Sequence, residues 1–223
     1  MPLNVSKGNM YSFVSHTWNT VKGQCEHDCD YCYMKVFKLG PQRFDKSELK
    51  TDLGHGNFIF VGSSNDLFAE SVPGDWIKQT LEHCIDFPQN RYLFQSKNPK
   101  RFSDFMIYFP EKSIFGTTIE TNREYNVSKA PSPYDRAHEM DFLSKNGYKV
   151  MITIEPIMKF DLEVLLFWIN AIKPQWINIG SDSKGHHLPE PTKEEIAELI
   201  EKLRNRFTVV QKKNLRRLLG GER

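Results

Sequence analysis

The sequence predicts an α/β fold built on a parallel sheet, and three observations indicate it. Short apolar segments alternate with amphipathic segments along most of the chain. The apolar segments are continuous, as in strands that are covered by helices on both faces. Polar residues follow each apolar segment, and in parallel α/β proteins this end of the strands carries the functional site. A closed barrel, a partial barrel and an open doubly wound sheet all fit this order.

The elements follow in a regular order after an opening strand expected within residues 11–21. We predict strands at residues 57–62, 91–95, 112–120, 148–156, 175–182 and 207–211. We predict helices at residues 75–87, 99–109, 134–147, 161–172 and 192–207. Asp161 is the expected cap of the fourth helix. Thr192 and Glu195 have the spacing of a capping box at the start of the last one.

Polar clusters at the ends of the five central strands are candidate site residues. Since these ends lie at one edge of a parallel sheet, we expect a site ringed by several strands. Strand ends also meet water, so each cluster alone has a plain structural interpretation. The clusters are Ser63, Ser64, Asn65 and Asp66; Gln95, Ser96, Lys97 and Asn98; Thr117, Thr118 and Glu120; Thr153 and Glu155; and Ser181, Asp182 and Ser183.

Composition limits the class of protein. The chain has 223 residues and a net charge of +2, which is too small to indicate a general nucleic-acid binder. It has no apolar run of membrane-spanning length and no secretory leader pattern, so we expect a single cytoplasmic domain over residues 1–223 with no membrane partner. The segment 211–223 is basic. Its cations are candidate nucleic-acid contacts, although solvated helix surface is the simpler interpretation: Lys212, Lys213, Arg216 and Arg217.

A loop at residues 23–35 holds Cys25, Cys29 and Cys32 in a C-x3-C-x2-C pattern. Structural zinc needs four ligands, and only His16 or His27 would complete such a set. A disulfide would leave one thiol over, and a ferredoxin-type cluster needs a fourth cysteine. Three thiolates without a fourth ligand suit an iron–sulfur cubane with one open iron. Zinc also remains compatible with these soft ligands.

The stretch "CEHDCDYC" resembles the cluster signature of radical S-adenosylmethionine enzymes. Further stretches resemble the phage Gp37/Gp68-like group of these enzymes, which is distantly similar to spore photoproduct lyase: "FVGSSNDLFAESVP", "QSKNPKRF", "TIEPIM" and "INIGSDSKGHHLPEP". The resemblance implies a partial (β/α)6 barrel. It also implies a [4Fe-4S] cluster and S-adenosylmethionine, which is cleaved by one electron to a 5′-deoxyadenosyl radical that abstracts hydrogen from a substrate.

The resemblance also implies roles for individual residues. The three cysteines match the cluster ligands, and Tyr31 matches an aromatic residue that packs near the adenine. The family's Gly-Gly-Glu segment is replaced by "GSSND", so the methionyl amino group is expected to meet one of Ser63, Ser64, Asn65 and Asp66. Thr118 and Glu120 lie where the ribose is held. The expected catalytic residues are Glu120, Glu155 and Asp182.

Other residues have competing interpretations. Cys84 is expected to be a core residue, and His186 and His187 solvated surface. Lys97 is expected to contact an anionic substrate or to lie in water. Arg123 and Arg136 are candidates for binding a carboxylate, with helix surface the simpler role for Arg136.

The implied substrate is a nucleobase or nucleotide of DNA or RNA, with a peptide or a small metabolite as alternatives. A flavodoxin- or ferredoxin-like protein, or dithionite in vitro, would supply the electron. A monomer or weak dimer is expected. Two other functions remain open: a zinc-stabilised binding protein without catalysis, and an enzyme that uses its cluster only to deliver electrons.

Overall fold

A computed structural model describes residues 3–7 and 10–221. The six other residues, among them the last two of the predicted segment 211–223, lie outside the described part. The contacts divide the chain into two units. The first contains the chain up to Asp28 and Cys32–Phe115, and the second contains Cys29–Tyr31 and the described chain from Gly116.

The first unit is built on parallel strands. Its strands are β1 (Asn4–Val5), β2 (His16–Trp18), β3 (Val21–Lys22), β4 (Arg43–Phe44), β5 (Phe58–Val61) and β6 (Arg91–Gln95). Strands β2, β5 and β6 are parallel neighbours, whereas β1 pairs with β2 and β3 with β4 in antiparallel fashion. Helix α1 (Gly74–Ile85) buries Ile77, Leu81 and Cys84. The predicted strands of this unit are confirmed with slightly shorter bounds.

The segment predicted as a helix at 99–109 is instead a 3-10 helix, Pro99–Tyr108. A 3-10 helix has three residues per turn, so residues three apart share a face. Pro99 and Phe102 are buried, and Phe105 lies on the same face. The Phe102 ring lies 4.7 Å from the Phe68 ring and 5.1 Å from the Phe115 ring. Aromatic packing with period three explains the difference from the α-helix that we predicted.

The second unit continues the alternation of strands and helices. Strand β7 (Ser113–Thr118) leads into it, followed by α2 (Pro133–Lys145), β8 (Val150–Ile154), α3 (Leu162–Ile172), β9 (Trp176–Ile179), α4 (Lys193–Arg204) and β10 (Thr208–Gln211). Strand β9 is parallel to both β8 and β10. Every residue of β8 is buried, as expected for a strand covered on both faces. The α/β class with a mostly parallel sheet is therefore confirmed.

Of the two predicted helix caps in the second unit, one is formed and the other is not. Thr192 accepts from the Glu195 amide and the Glu195 carboxylate accepts from the Thr192 amide, so the capping box is confirmed. Asp161 precedes α3 but makes no capping bond. Its carboxylate binds the exposed Arg123 guanidinium at 2.6 Å instead. The candidate carboxylate ligand Arg123 is thereby engaged within the chain itself.

Candidate functional site

None of the three loop cysteines forms a disulfide, and Cys29 is buried. The fourth, Cys84, is fully buried in α1, and burial raises the pKa of its thiol well above the ordinary value. The prediction that Cys84 is a core residue is confirmed. Within residues 3–7 and 10–221, no three His, Cys, Asp or Glu side chains form a ready-made site for a metal ion.

In the first unit, the carboxylate of Asp66 connects the ends of two strands to the cysteine loop. Its Oδ2 lies 2.7 Å from Nε2 of His27 and accepts hydrogen bonds from the Ser96 hydroxyl at 3.0 Å and the Lys97 amide at 2.8 Å. Burial opposes ionisation, but the hydrogen bond and charge of His27 outweigh it and lower the pKa of Asp66. Asp66 therefore anchors the loop, and His27 binds a carboxylate through Nε2.

The residues before Asp66 continue this edge of the unit. Asn19, which follows β2, accepts from the Ser64 amide at 2.8 Å and from the Ser63 hydroxyl at 3.3 Å. The Asn65 amide donates to the Gly23 carbonyl at 3.0 Å. Asn65 Oδ1 is buried and has no hydrogen-bond partner among the described residues. An unsatisfied buried acceptor costs free energy, so this atom suits a bound amine donor.

In the second unit, Tyr31 of the cysteine loop donates to the Glu120 carboxylate just beyond β7. Arg136 of α2 pairs with the same carboxylate at 2.9 Å and donates to the Thr118 carbonyl at 2.5 Å. Burial, and next the charge of Glu120, raises the pKa of Tyr31 well above its usual value. The helix-surface role that we considered simpler for Arg136 is wrong, because the guanidinium is only 3% exposed.

The ends of β8, β9 and β10 also meet through polar side chains. Glu155 accepts from the Lys212 ammonium at 2.6 Å and from the Asn214 amide at 2.7 Å, and Asn214 also donates to the Ser181 carbonyl at 2.7 Å. A Cβ at Gly180 would lie 2.6 Å from the Glu155 carboxylate, so a larger residue here would displace that side chain. Solvated helix surface is the wrong interpretation for Lys212, because the Lys212 side chain is 11% exposed and paired.

Asp182 is turned towards its own loop. Its carboxylate accepts from the amides of Lys184 at 3.0 Å and His186 at 2.5 Å, and Nδ1 of His186 lies 2.6 Å away. Burial opposes ionisation, but these hydrogen bonds lower the pKa of Asp182. His186 is half-buried, so solvated surface is a wrong description of it. Arg217 pairs with Glu190 and donates to the Asp182 carbonyl.

Two further buried oxygens lie opposite each other in β8 and β9. Thr153 pairs with Asn178 in the parallel register. Thr153 Oγ1 and Asn178 Oδ1 are buried without a hydrogen-bond partner among the described residues. Asn178 was not identified as a candidate site residue from the sequence, and neither were Asn19 and Asn214. A polar residue inside the apolar run "WINI" was the available signal for Asn178.

Comparisons with known proteins place this geometry in a known fold. No protein-family model matches the chain, and no curated protein matches it. A mutant of spore photoproduct lyase superposes with a TM-score of 0.66 and 10% identity over 94% of this chain and 80% of that one. The chain shares the fold of spore photoproduct lyase.

A second form of that lyase, with bound AdoMet and a dinucleoside spore photoproduct, has a TM-score of 0.58 and 13% identity, over 89% of this chain and 66% of that one. SuiB of Streptococcus suis bound to S-adenosylmethionine has a TM-score of 0.62 and 10% identity. That match covers 87% of this chain and 49% of SuiB, so the chain spans about half of SuiB. No helix in the described part of the chain combines the length and apolar character that crossing a membrane requires.

Proposed function

We propose that this chain is a radical S-adenosylmethionine enzyme. The observation that carries the proposal is the C-x3-C-x2-C loop in a chain with the fold of spore photoproduct lyase and SuiB. Both are radical S-adenosylmethionine enzymes. The thiols follow β2, a parallel strand of the first unit, after the short intervening strand β3. The loop thus follows the carboxyl end of a parallel strand, where α/β folds place their sites.

The residues present fit a [4Fe-4S] cluster and S-adenosylmethionine. Cys25, Cys29 and Cys32 would hold three irons, since none of them is in a disulfide and thiolates are the ligands that such clusters need. Asn65 Oδ1 is a buried acceptor in the segment expected at the methionyl amino group. When bound, the cluster would supply one electron to the sulfonium and so release a carbon radical for hydrogen abstraction.

The chain's own contribution is to fix the cysteine loop. His27 ties the loop to Asp66, and Tyr31 ties it to Glu120. Each of these contacts is largely buried, so water does not compete for them. We assign Glu120 to this positioning role as well as to the expected ribose contact. Glu155 remains our candidate for a group that faces the substrate, whereas Asp182 would act by fixing its own loop, since its carboxylate is bound there.

The test begins with reconstitution under anaerobic conditions. We expect about four irons per chain, and 5′-deoxyadenosine after addition of dithionite and S-adenosylmethionine. Changing any of Cys25, Cys29 and Cys32 to Ala should remove both. The matched control Cys84→Ala should retain both, with a loss of about 1 kcal/mol of unfolding free energy.

Three results would contradict the proposal. A colourless protein with one zinc per chain would indicate a zinc-stabilised binding protein. A reducible cluster without any 5′-deoxyadenosine would indicate an enzyme that only delivers electrons. Equal iron loss in all four cysteine variants would show that Cys84 is a ligand and that the cluster has no open iron.

For the substrate we propose a nucleobase or nucleotide of DNA or RNA. The chain matches 80% of a spore photoproduct lyase but only 49% of SuiB, which has been solved with the precursor peptide SuiA. The lyase has been solved with a dinucleoside lesion. The resemblance to the phage Gp37/Gp68-like group favours the same class. A peptide substrate modified at higher rate than any oligonucleotide would overturn this choice.

We further propose a cytoplasmic protein, because the cluster requires a reducing compartment. A flavodoxin- or ferredoxin-like protein would supply the electron. We expect a monomer or weak dimer, which sedimentation of the reconstituted protein would test.

A further inference from the structure

A cavity of about 390 Å³ opens in the first unit beside the segment that follows the cysteine loop. Three cationic side chains line it, Lys22, Lys38 and Arg43, and Asn19 and Ser64 add polar groups. Glu48 is the one acidic side chain among its described lining residues. Its volume lies within the range of small-molecule sites, which runs from about 300 to 1,000 Å³.

The three cations of this cavity differ in how their charges are neutralised. Lys22 of β3 lies directly opposite Arg43 of β4 in the antiparallel register. Like charges in such positions destabilise a strand pair. Asp45 and Glu48 neutralise Lys22 at 2.8 and 2.6 Å. In the described part of the chain, Arg43 and Lys38 form no ion pair, and both are exposed. A bound anion would supply the negative charge that Arg43 and Lys38 lack.

Two exposed aromatic residues, Tyr33 and Phe37, directly precede the lining residues Met34 and Lys38 in the chain. Tyr33 is 50% exposed and Phe37 is 58% exposed. The Tyr33 hydroxyl donates to the Ser63 carbonyl at 2.8 Å, beside the lining residue Ser64, and Phe37 precedes the lining residue Lys38. Exposed aromatic rings next to cations are the arrangement that binds single-stranded nucleic acid, by stacking of bases and neutralisation of phosphates.

We propose that this cavity binds a phosphate group of the substrate, a nucleotide or a single-stranded nucleic acid. Lys38 and Arg43 contact the phosphate, and Tyr33 and Phe37 stack on neighbouring bases. The proposal rests on the proposed function for its choice of a nucleotide substrate. It does not depend on the cluster, because none of these residues is a candidate cluster ligand.

The experiment measures binding of a fluorescein-labelled 20-nucleotide single strand to the full chain at several salt concentrations. Each phosphate contact on a single strand contributes about 0.7 to the slope of log affinity against log salt. The double variant Lys38→Ala/Arg43→Ala should reduce the slope by about 1.4 and weaken binding at low salt. The control Lys46→Ala removes an exposed lysine outside the cavity and should leave both unchanged. Competition by a nucleoside monophosphate separates a free nucleotide from a polymer as the ligand.

Three outcomes would overturn the proposal. The first is an unchanged slope in a double variant that still folds, as judged by its circular dichroism. The second is an equal change in Lys46→Ala, which would indicate general surface charge. The third is slower reduction by an acidic flavodoxin, or weaker S-adenosylmethionine binding, with oligonucleotide binding intact. Either result would assign the cavity to another ligand.

The two proposals can fail separately. If Cys25→Ala binds the oligonucleotide like the wild type and the wild type forms no 5′-deoxyadenosine, the cavity stands and the radical function fails. If 5′-deoxyadenosine forms but the double variant binds the oligonucleotide normally, the function stands and the cavity proposal fails.

Discussion

At the scale of single residues, we expect the buried ion pair of Glu120 and Arg136 to contribute strongly to the stability of the second unit. Both side chains are at most 3% exposed, and Tyr31 donates to the same carboxylate. Arg136→Ala would leave the carboxylate buried without its cation. We expect a loss of about 3–5 kcal/mol of unfolding free energy, measured by urea denaturation.

The control for Arg136→Ala is Arg123→Ala, which breaks the exposed ion pair with Asp161. Water screens that pair, so its loss should be much smaller. Equal losses in the two variants would show that burial of the Glu120 carboxylate is not what makes Arg136 necessary.

Residue chemistry could be predicted from sequence more readily than residue partners. Polar residues at strand ends marked Asp66, Glu120 and Glu155 as site candidates. Their partners came from distant positions, as for Glu155 and Lys212, which lie 57 residues apart. Such pairing depends on how helices and strands pack together, and local sequence patterns do not show this. Arg136 was misjudged for this reason, because helical spacing alone does not show which face meets a buried carboxylate.

At the scale of elements, β8 and β9 carry two polar side chains that the sheet does not satisfy. The Thr153 hydroxyl has no protein partner among the described residues. Thr153→Val keeps the shape and removes this hydroxyl. In the ligand-free protein we therefore expect an unchanged or slightly higher unfolding free energy, since replacing an unsatisfied polar group costs nothing.

The matched control for Thr153→Val is Thr80→Val in α1. The Thr80 hydroxyl is bonded at 2.7 Å to Thr20 and at 2.7 Å to the Trp76 carbonyl. Its loss should cost about 1–2 kcal/mol. If Thr153→Val costs as much as the control, Thr153 has a partner in the folded protein, such as ordered water, and is no open acceptor for a ligand.

Element type could be predicted where the periodicity was simple. Continuous apolar runs gave the five central strands, and the Thr192 capping box marked the start of α4. The prediction of an α-helix at 99–109 was wrong because a spacing of three among aromatic residues fits a 3-10 helix as well as an α-helix. Strands of two residues, such as β3 and β4, are too short to leave a pattern, although they carry two of the three cations of the proposed phosphate cavity.

At the scale of the whole molecule, the strand–helix order was enough for the fold class, but it left three architectures open. The likeness to spore photoproduct lyase, at 10% identity over 94% of the chain, favours the fold of that lyase among these architectures. At such low identity the likeness shows the fold and does not carry site residues from one chain to the other. The "GSSND" segment is an example, because its buried Asn65 acceptor stands where the resemblance expects Gly-Gly-Glu.

The last prediction concerns the stability of the whole chain. A ligand that binds only the folded state stabilises it by about 2.7 kcal/mol at 100 times its dissociation constant. S-adenosylmethionine should therefore raise the unfolding midpoint of the reconstituted protein, measured under anaerobic conditions. The cluster-free variant Cys32→Ala should show a much smaller shift, because in the proposed enzyme the open iron would contribute to binding. An equal shift in the two proteins would show that S-adenosylmethionine binds without the cluster, and the proposed division of roles between thiols and polar strand ends would be wrong.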